Sequence, residues 1–382
     1  MKEIINMWRQ YIKKEMEEIT ARIKERKNEV KVEDIRNKKV ILYGAGIDGI
    51  KVLAELKNYQ VEVIAFFDMR ADLLKNIKDI PVFKPDYNIV TDTEKAEIPV
   101  ILTVKPFKPV NDEIIKTLIE NGYKNIIKAT DMFDFYSFTE KDISEFDRIK
   151  SSIIECAQLL EDEESYKIYK GFITSHATKQ YDTFSAPTQN TKYFDSDFCE
   201  NKGFQRYIDC GAFDGDSLRD LNRLKGKVEK VALFESDMGT FQELLKMISA
   251  DSQMYAKEMS VYPCGVWSDT VKLRANNGME LNSHISDDGD DIIQCVAIDQ
   301  VLKGFEPTFL KIDVEGAEYQ ALTGARKTIT ENKPDMVISL YHDLRDIWEL
   351  PLFVNSWDLG YKFYIRAYGK GGNATMLYAF SG

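Results

Sequence analysis

The stretch Arg206–Arg219, RYIDCGAFDGDSLR, constrains this chain more than any other. A short apolar run, Tyr207–Ile208, ends in Asp209, and glycines follow at 211 and 215 before a segment of helical character from Ser217. That order describes a strand, a tight turn and a helix start. Glycine lets the backbone pass close to a ligand, and the free N–H groups of a helix start attract a negative group. The spacing Asp-x-Gly-x-x-x-Gly differs from the dinucleotide fingerprint Gly-x-Gly-x-x-Gly. Taken alone, it fits a ligand cradle and a solvent-exposed turn equally well.

The neighbouring sequence separates the two. The next apolar run, Val231–Phe234, ends in Glu235, about 20 residues after Gly215, where an acid can accept both hydroxyls of a ribose. Pro263–Trp267 (PCGVW), Phe309–Glu318 (FLKIDVEGAE) and Val337–Asp343 (VISLYHD) follow. Strand-like runs thus end repeatedly in polar or glycine residues, and in a parallel α/β sheet ligands bind beyond such carboxyl ends. Strands are expected at Arg206–Asp209, Lys230–Phe234, Ser260–Cys264, Phe309–Ile312, Met336–Leu340, Tyr361–Ala367 and Thr375–Ala379, with helices after the first five. The turn Gly369–Asn373 (GKGGN) joins the last two strands into a closing hairpin. Val271–Ala275 and Ile292–Ala297 both alternate and predict an added hairpin around the acidic, turn-rich Gly278–Asp291.

From about Tyr193 to Phe380 the chain resembles the FkbM family of methyltransferases, through YFDSD, DCGAFDGD, FESD, LKIDVEGAEYQALTGA and SLYHDLRDIWELP. Its glycine turn looks like the first motif of class I S-adenosylmethionine-dependent methyltransferases. The resemblance implies an α/β fold with a Rossmann-like seven-stranded sheet whose last strand is antiparallel. It implies S-adenosylmethionine as cofactor and transfer to a hydroxyl of a sugar or other polyhydroxylated acceptor in glycan or natural-product biosynthesis. The cofactor residues it implies are Asp209, Cys210, Gly211, Ala212, Phe213, Gly215 and Ser217 around the methionine half and Glu235 with Ser236 at the ribose. Gly265 and Val266 follow at the adenine edge, and Asp313 beside the methyl group. One departure is FESD at Phe234–Asp237, where FEPD is the commoner form; the acid itself is kept. No DPPY-type sequence, used by resembling families for exocyclic amines, follows the fourth strand, which favours oxygen acceptors.

The catalytic candidates are Asp313, Glu315 and His342, all at the carboxyl ends of the fourth and fifth strands. A hydroxyl attacking a sulfonium must lose its proton, so a positioned base is expected. Histidine has an unperturbed pKa near ~6.5, so His342 is read as the base and Asp313 as the orienting group. His284 lies in the acidic loop, and His176 has no motif around it. Tyr193, just before the first strand of this domain, is placed to reach the cofactor, and Phe194 to pack in the core.

A second glycine turn lies upstream. Lys38–Thr130 reads as a small α/β domain with strands at Lys39–Tyr43, Val61–Phe67, Pro81–Phe83, Val100–Val104 and Asn125–Lys128 and a helix at Asp112–Asn121. Its GAGIDG at Gly44, Gly46 and Gly49, with Asp68 at the end of the next strand, completes a dinucleotide-type fingerprint. This half-domain resembles the nucleotide-sugar-binding part of bacterial sugar-modifying acyltransferases, although those carry a histidine where this chain has Asp48. A nucleotide or nucleotide-sugar site and a Rossmann-like domain kept for assembly are both open readings. An NAD(P)-linked oxidoreductase using this turn is the rival enzyme class; no Tyr-x-x-x-Lys pair follows within the domain. A non-enzymatic nucleotide-binding protein is a third reading.

Ile5, Trp8, Ile12, Ile19 and Ile23 share one face of an N-terminal helix, which either docks on its own chain or pairs two chains as a homodimer. Asp142–Leu160 is periodic enough for a helix, and Ser165–Thr174 for another, so the chain divides into 1–37, 38–135, a helical bridge 136–200 and 201–382. The bridge is expected to pack on the last domain and roof its pocket. A net charge of −12 argues against a nucleic-acid partner. Five scattered cysteines without CxxC spacing and three histidines offer no zinc pattern, and reduced thiols fit a cytoplasm. No apolar run approaches the ~20 residues of a membrane span.

Overall fold

Lys39–Tyr43 (β1) reads KVILY, and all but its first residue is buried, as a central parallel strand covered on both faces requires. The computed structural model describes residues 2–25, 30–104, 110–134, 137–181, 192–194, 202–250, 252–276, 284–285, 291–369, 372 and 374–381. Two units divide the chain: Met1–Glu18, Phe146–Phe172 and Ser185–Gly382 form one, and Ile19–Glu145 with Ile173–Phe184 the other.

In the smaller unit β1 is joined by Glu62–Phe67 (β2), Asn76–Ile77 (β3), Ile80–Phe83 (β4), Pro99–Leu102 (β5) and Asn125–Lys128 (β6). The order is β3-β4-β2-β1-β5-β6, parallel throughout except where β3 meets β4. Before the sheet come the long helix Lys2–Glu25 (α1) and a single 3-10 turn at Val32–Ile35. Helices Ile47–Asn58 (α2), Ala71–Leu74 (α3), Asp92–Glu97 (α4), Val110–Glu120 (α5) and Ala129–Met132 (α6) connect and follow the strands. Along α1, Ile12, Met16, Ile19 and Ile23 are buried at spacings of three and four, so the apolar face is covered within its own chain. The side chains of Ile5 and Trp8 lie outside the described residues.

The segment expected as one helix over Asp142–Leu160 is two, Glu140–Ser144 (α7) and Phe146–Leu159 (α8), followed by Glu163–Thr178 (α9). Thr139 and Asp142 form a reciprocal capping box that starts α7 on its own. A division at 136 and 200 cuts across the packing. Leu160 bridges Phe363, Glu161 donates its N–H to the Phe363 carbonyl at 3.0 Å, and Ser165 Oγ accepts from Ile365 N at 2.8 Å. Arg366 Nη2 reaches Asp162 Oδ2 at 2.6 Å with the arginine side chain almost wholly buried. Residues 146–172 therefore belong to the sheet of the larger unit.

That sheet contains Arg206–Cys210 (β7), Val228–Phe234 (β8), Ala256–Tyr262 (β9), Phe309–Ile312, Asp335–Ser339, Tyr361–Ala367 and Thr375–Ser381. A small sheet is inserted between its third and fourth strands, from Gly265–Val266 (β10), Val271–Asn276 (β11), His284–Ile285 (β12) and Asp291–Val296 (β13). The remaining large-sheet strands are thus β14 to β17, and the order is β16-β17-β15-β14-β7-β8-β9. All neighbours are parallel except β17, antiparallel to both β15 and β16. This is the class I methyltransferase arrangement expected from the closing hairpin.

The added hairpin is present as β11 against β13, from Val271↔Cys295 to Ala275↔Asp291, with β10 and β12 at its sides. One expectation is corrected. Where a helix was expected after the third strand, β9 runs through Pro263 into this small sheet, and among the described residues only the one-turn Ile298–Val301 precedes β14. The period-two alternation of 271–275 and 292–297 left no helical face to bury. Helices Asp216–Lys225 (α10), Met238–Ala250 (α11) and Ser252–Tyr255 (α12) lie between β7 and β9. With Ile298–Val301 as α13, Glu318–Gly324 (α14), Arg326–Asn332 (α15) and Asp346–Asn355 (α16) complete the unit.

Candidate active site

The site is built where β7 stops, at the point where the strand order reverses. Its neighbours β8 and β14 run on opposite sides, so the loops after them diverge and leave a crevice. Gly211 turns the chain with φ +89°, and a Cβ there would stand 1.9 Å from the Asp313 carbonyl oxygen. Only glycine allows the ends of β7 and β14 to meet this closely. A cavity of about 800 Å³ opens above them, walled by the ends of β7, β8 and β14 and by the start of the small sheet.

Glu235 stands at the end of β8. Its Oε2 accepts from Phe213 N at 2.9 Å and its Oε1 from Asp237 N at 2.8 Å. Two backbone donors thus fix the carboxylate, each taking one lone pair and leaving the other for a vicinal diol. Burial raises this carboxyl above its usual value. Ser236, Gly265, Val266, Cys264 and Cys295 line the adjoining wall, where burial pushes both thiols up to about 11 and keeps them uncharged.

Asp209 lies beneath the floor rather than on the wall. It is fully buried and Lys311, its register partner on β14, holds its Oδ1 at 2.7 Å. Ser217 Oγ donates to Oδ2, Tyr207 OH donates to the same oxygen at 2.8 Å, and Lys311 Nζ also donates to the Gly211 carbonyl at 2.6 Å. Burial works against the charge of Lys311, but Asp209 and Asp313 outweigh it and raise its pKa. The expected contact between Asp209 and the methionine half is corrected: its oxygens face Lys311, Tyr207 and Ser217, and it acts through Lys311, which does line the cavity. Cys210, Ala212, Gly215 and Ser217 likewise shape the turn from outside the cavity wall, whereas Gly211 and Phe213 are on it.

Asp313 and Glu315 also stand on the cavity wall. Asp313 Oδ2 accepts from Tyr193 OH at 2.6 Å and from Lys192 Nζ at 3.4 Å, and Oδ1 accepts from Tyr341 OH at 3.0 Å. Although burial opposes ionisation, Lys192, Lys311 and His342 hold the Asp313 carboxyl well below the usual range. Glu315 sits at φ 54° before Gly316, in a sharp turn that faces it to the cavity, and burial raises its carboxyl.

His342 is set behind these two. Its Nε2 lies 3.4 Å from Glu315 Oε2 and 3.7 Å from Asp313 Oδ1, and its Nδ1 is 2.8 Å from Glu318 Oε1. Burial disfavours its charge, but Glu318 above all, then Asp313 and Glu315, raise its pKa to about 9. With its pKa raised in this way and both ring nitrogens facing carboxylates, His342 is poorly placed for the expected role of base. His284 has its side chain outside the described residues, and His176 is buried in the smaller unit, its backbone carbonyl accepting from Ser137 Oγ at 2.5 Å.

Lys192, Asp216 and Lys311 are cavity residues that the sequence reading passed over. Asp216 begins α10 at the turn, where burial raises its carboxyl. The family model described as "Methyltransferase FkbM domain" matches residues 209–363. Residues 209–363 are thus similar to an FkbM methyltransferase domain. Among solved structures, methyltransferase FkbM from Methylobacillus flagellatus KT is similar to it, at 24% identity and a TM-score of 0.67. That match covers 91% of this chain and 93% of the other, and at such identity it bears on the fold. No curated protein matches the chain.

The matched residues span the cavity from Asp209 past His342, and the smaller unit has its own glycine turn. There Asp68 Oδ2 accepts from Ala45 N at 2.9 Å and from Arg70 Nη2 at 3.1 Å. Oδ1 accepts from Arg70 N at 2.9 Å and Nε at 3.1 Å. Gly44, Gly46, Gly49 and Asp68 are thus brought together as the fingerprint requires. A Cβ on Gly49 would lie 2.1 Å from the Gly44 carbonyl oxygen, so α2 packs directly on the turn. The acid that a ribose would need is already bound by Arg70 and the turn.

Proposed function

We propose that this protein is an S-adenosylmethionine-dependent O-methyltransferase acting on a hydroxyl of a sugar or other polyhydroxylated acceptor, in the cytoplasm. The observation that carries the reading is Glu235. It is a carboxylate fixed by two backbone N–H groups at the end of the second strand, beside an apolar wall and lining the same cavity as Asp313 and Glu315. The residues fit the cofactor: Glu235 for the ribose diol, Gly265 and Val266 for the adenine edge, Lys311 and Lys192 for a carboxylate, Asp216 and Asp313 for positive charge. The cofactor supplies a methyl group on a sulfonium, already activated for displacement.

Alignment of the acceptor oxygen with that methyl then provides most of the acceleration. Asp313, held ionised and oriented by Tyr193, Tyr341 and Lys192, turns the acceptor hydroxyl toward it. Glu315, on the wall with a raised carboxyl, takes the proton. The polar rim of tyrosine hydroxyls, lysine and carboxylates matches an acceptor with several hydroxyls. Asp68, engaged by Arg70, favours this reading over a dehydrogenase built on Gly44–Gly49. The four described cysteines are free, as a reducing cytoplasm leaves them. No helix among the described residues is long and apolar enough to cross a membrane.

The test is transfer of a labelled methyl group from S-adenosylmethionine to a panel of sugars, nucleotide sugars and polyols, with amines as controls. Label on a hydroxyl acceptor supports the proposal, and label on amines alone rejects the oxygen assignment.

A further inference from the structure

We infer that His342, Asp313 and Glu315 form a site for one divalent cation of the manganese type, open to the cavity. Its role, though not its existence, rests on the methyl-transfer reading. His342 Nε2 is 3.4 Å from Glu315 Oε2 and 3.7 Å from Asp313 Oδ1. Atoms bound about 2.1 Å from one ion sit roughly 3.0–3.5 Å apart in octahedral or tetrahedral geometry, close to both separations from Nε2. The His342 side chain is nine-tenths buried, and its Nε2 has no hydrogen-bond partner among the described residues. Asp313, Glu318 and His342 also each bring a potential ligand atom within 4.8 Å of the others.

The supporting contacts are those that metal-binding histidines require. Glu318 is buried, and its Oε1 faces His342 Nδ1 at 2.8 Å while accepting from Val314 N at 2.9 Å. A carboxylate on Nδ1 fixes the tautomer that turns the Nε2 lone pair outward, and it raises the basicity of the ring. Tyr193 and Tyr341 orient Asp313 in the same way. Two carboxylates with one imidazole make a mixed donor set, harder than thiolate-rich zinc sites and suited to Mn²⁺. Asp313 and Glu315 lie on the cavity wall, so the remaining coordination positions face the space for the acceptor. A cation there would bind neighbouring hydroxyls and stabilise the oxygen that loses its proton.

The rival is a protonated His342 paired with the same carboxylates and lacking metal affinity. Full-length protein stripped with chelator and titrated with MnCl₂, without methyl donor, separates the two through free Mn²⁺ followed by electron paramagnetic resonance. One saturable Mn²⁺ per chain is expected, lost in His342→Gln and in Asp313→Asn. Glu318→Gln is expected to weaken it by about 10–100-fold. A thermal transition for each variant shows that it is folded. Glu235→Gln retains Mn²⁺ while its affinity for S-adenosylhomocysteine falls about tenfold or more, so failure of the methyltransferase reading and failure of the metal site are read separately. No saturable Mn²⁺ in the wild type, or equal affinity in folded His342→Gln, overturns the inference.

Discussion

Replacing Lys311 with methionine tests how the floor of the cavity is held. Asp209 and Lys311 are side by side on β7 and β14 with almost no exposure of either side chain, 2.7 Å apart. Removing one partner of a buried pair leaves an uncompensated charge and costs about 3–5 kcal/mol. Tyr207 and Ser217 still donate to Asp209, which sets the lower end of that range. For a unit of this size each kcal/mol lowers the melting temperature by roughly 2–4 °C, so Lys311→Met should melt roughly 10 °C below the wild type. Adding Asp209→Asn keeps the acceptor for Tyr207 and Ser217 and removes the stranded charge, so the double variant should recover more than half of the loss. Differential scanning calorimetry on the three proteins measures both effects. A Lys311→Met protein within about 1 kcal/mol of wild type, or a double variant no more stable than the single, would refute the reasoning.

Three further outcomes follow from the same geometry. Asp162→Asn removes the carboxylate nearest the buried guanidinium of Arg366 and, discounted for the partial exposure of Asp162, should cost about 2 kcal/mol in urea unfolding. Burial opposes ionisation of Asp162, but the hydrogen bonds of Arg366 and Ser165 lower its pKa below the unfolded value near 3.8. The pair's contribution is therefore complete above that value and lost as pH falls through the folded one, and acid titration of the variant should lack this step. Glu315→Gln should reduce turnover by on the order of 10²-fold with S-adenosylhomocysteine affinity unchanged, and near-normal turnover would remove Glu315 as proton acceptor. In thermal-shift screening of the full chain, nucleotides and nucleotide sugars should leave Glu235→Gln unshifted, since Arg70 already holds Asp68; a shift retained in that variant would make the Gly44–Gly49 turn a binding site.

The cavity wall was legible because strand ends announce themselves locally: an apolar run stops at Glu235, another at Asp313, and Gly211 turns between them. What was not legible depends on which strands become neighbours. Lys311 reads as an ordinary lysine within a strand until β14 is laid against β7, and then it explains why Asp209 is withdrawn from the cavity. Likewise, Glu318 looks like the first residue of a helix. Only the fold brings it against His342, and that contact changes the histidine from a base into a cation or a ligand. Arg70, two residues after Asp68, was a signal within the sequence that the acid of the second glycine turn is already bound. The docking of 146–172 on β16 came from Asp162 and Arg366, too far apart in sequence for any local pattern to join.

The central claim is that Glu235 holds the ribose of S-adenosylmethionine in the FkbM-like domain. Isothermal calorimetry of S-adenosylhomocysteine with wild type and Glu235→Gln tests it most directly. One site per chain in the wild type is expected, weakened by about tenfold or more in the variant, since a diol loses its charged acceptor. Equal affinity in both proteins would contradict the ribose assignment, and no binding by the wild type would contradict the function itself.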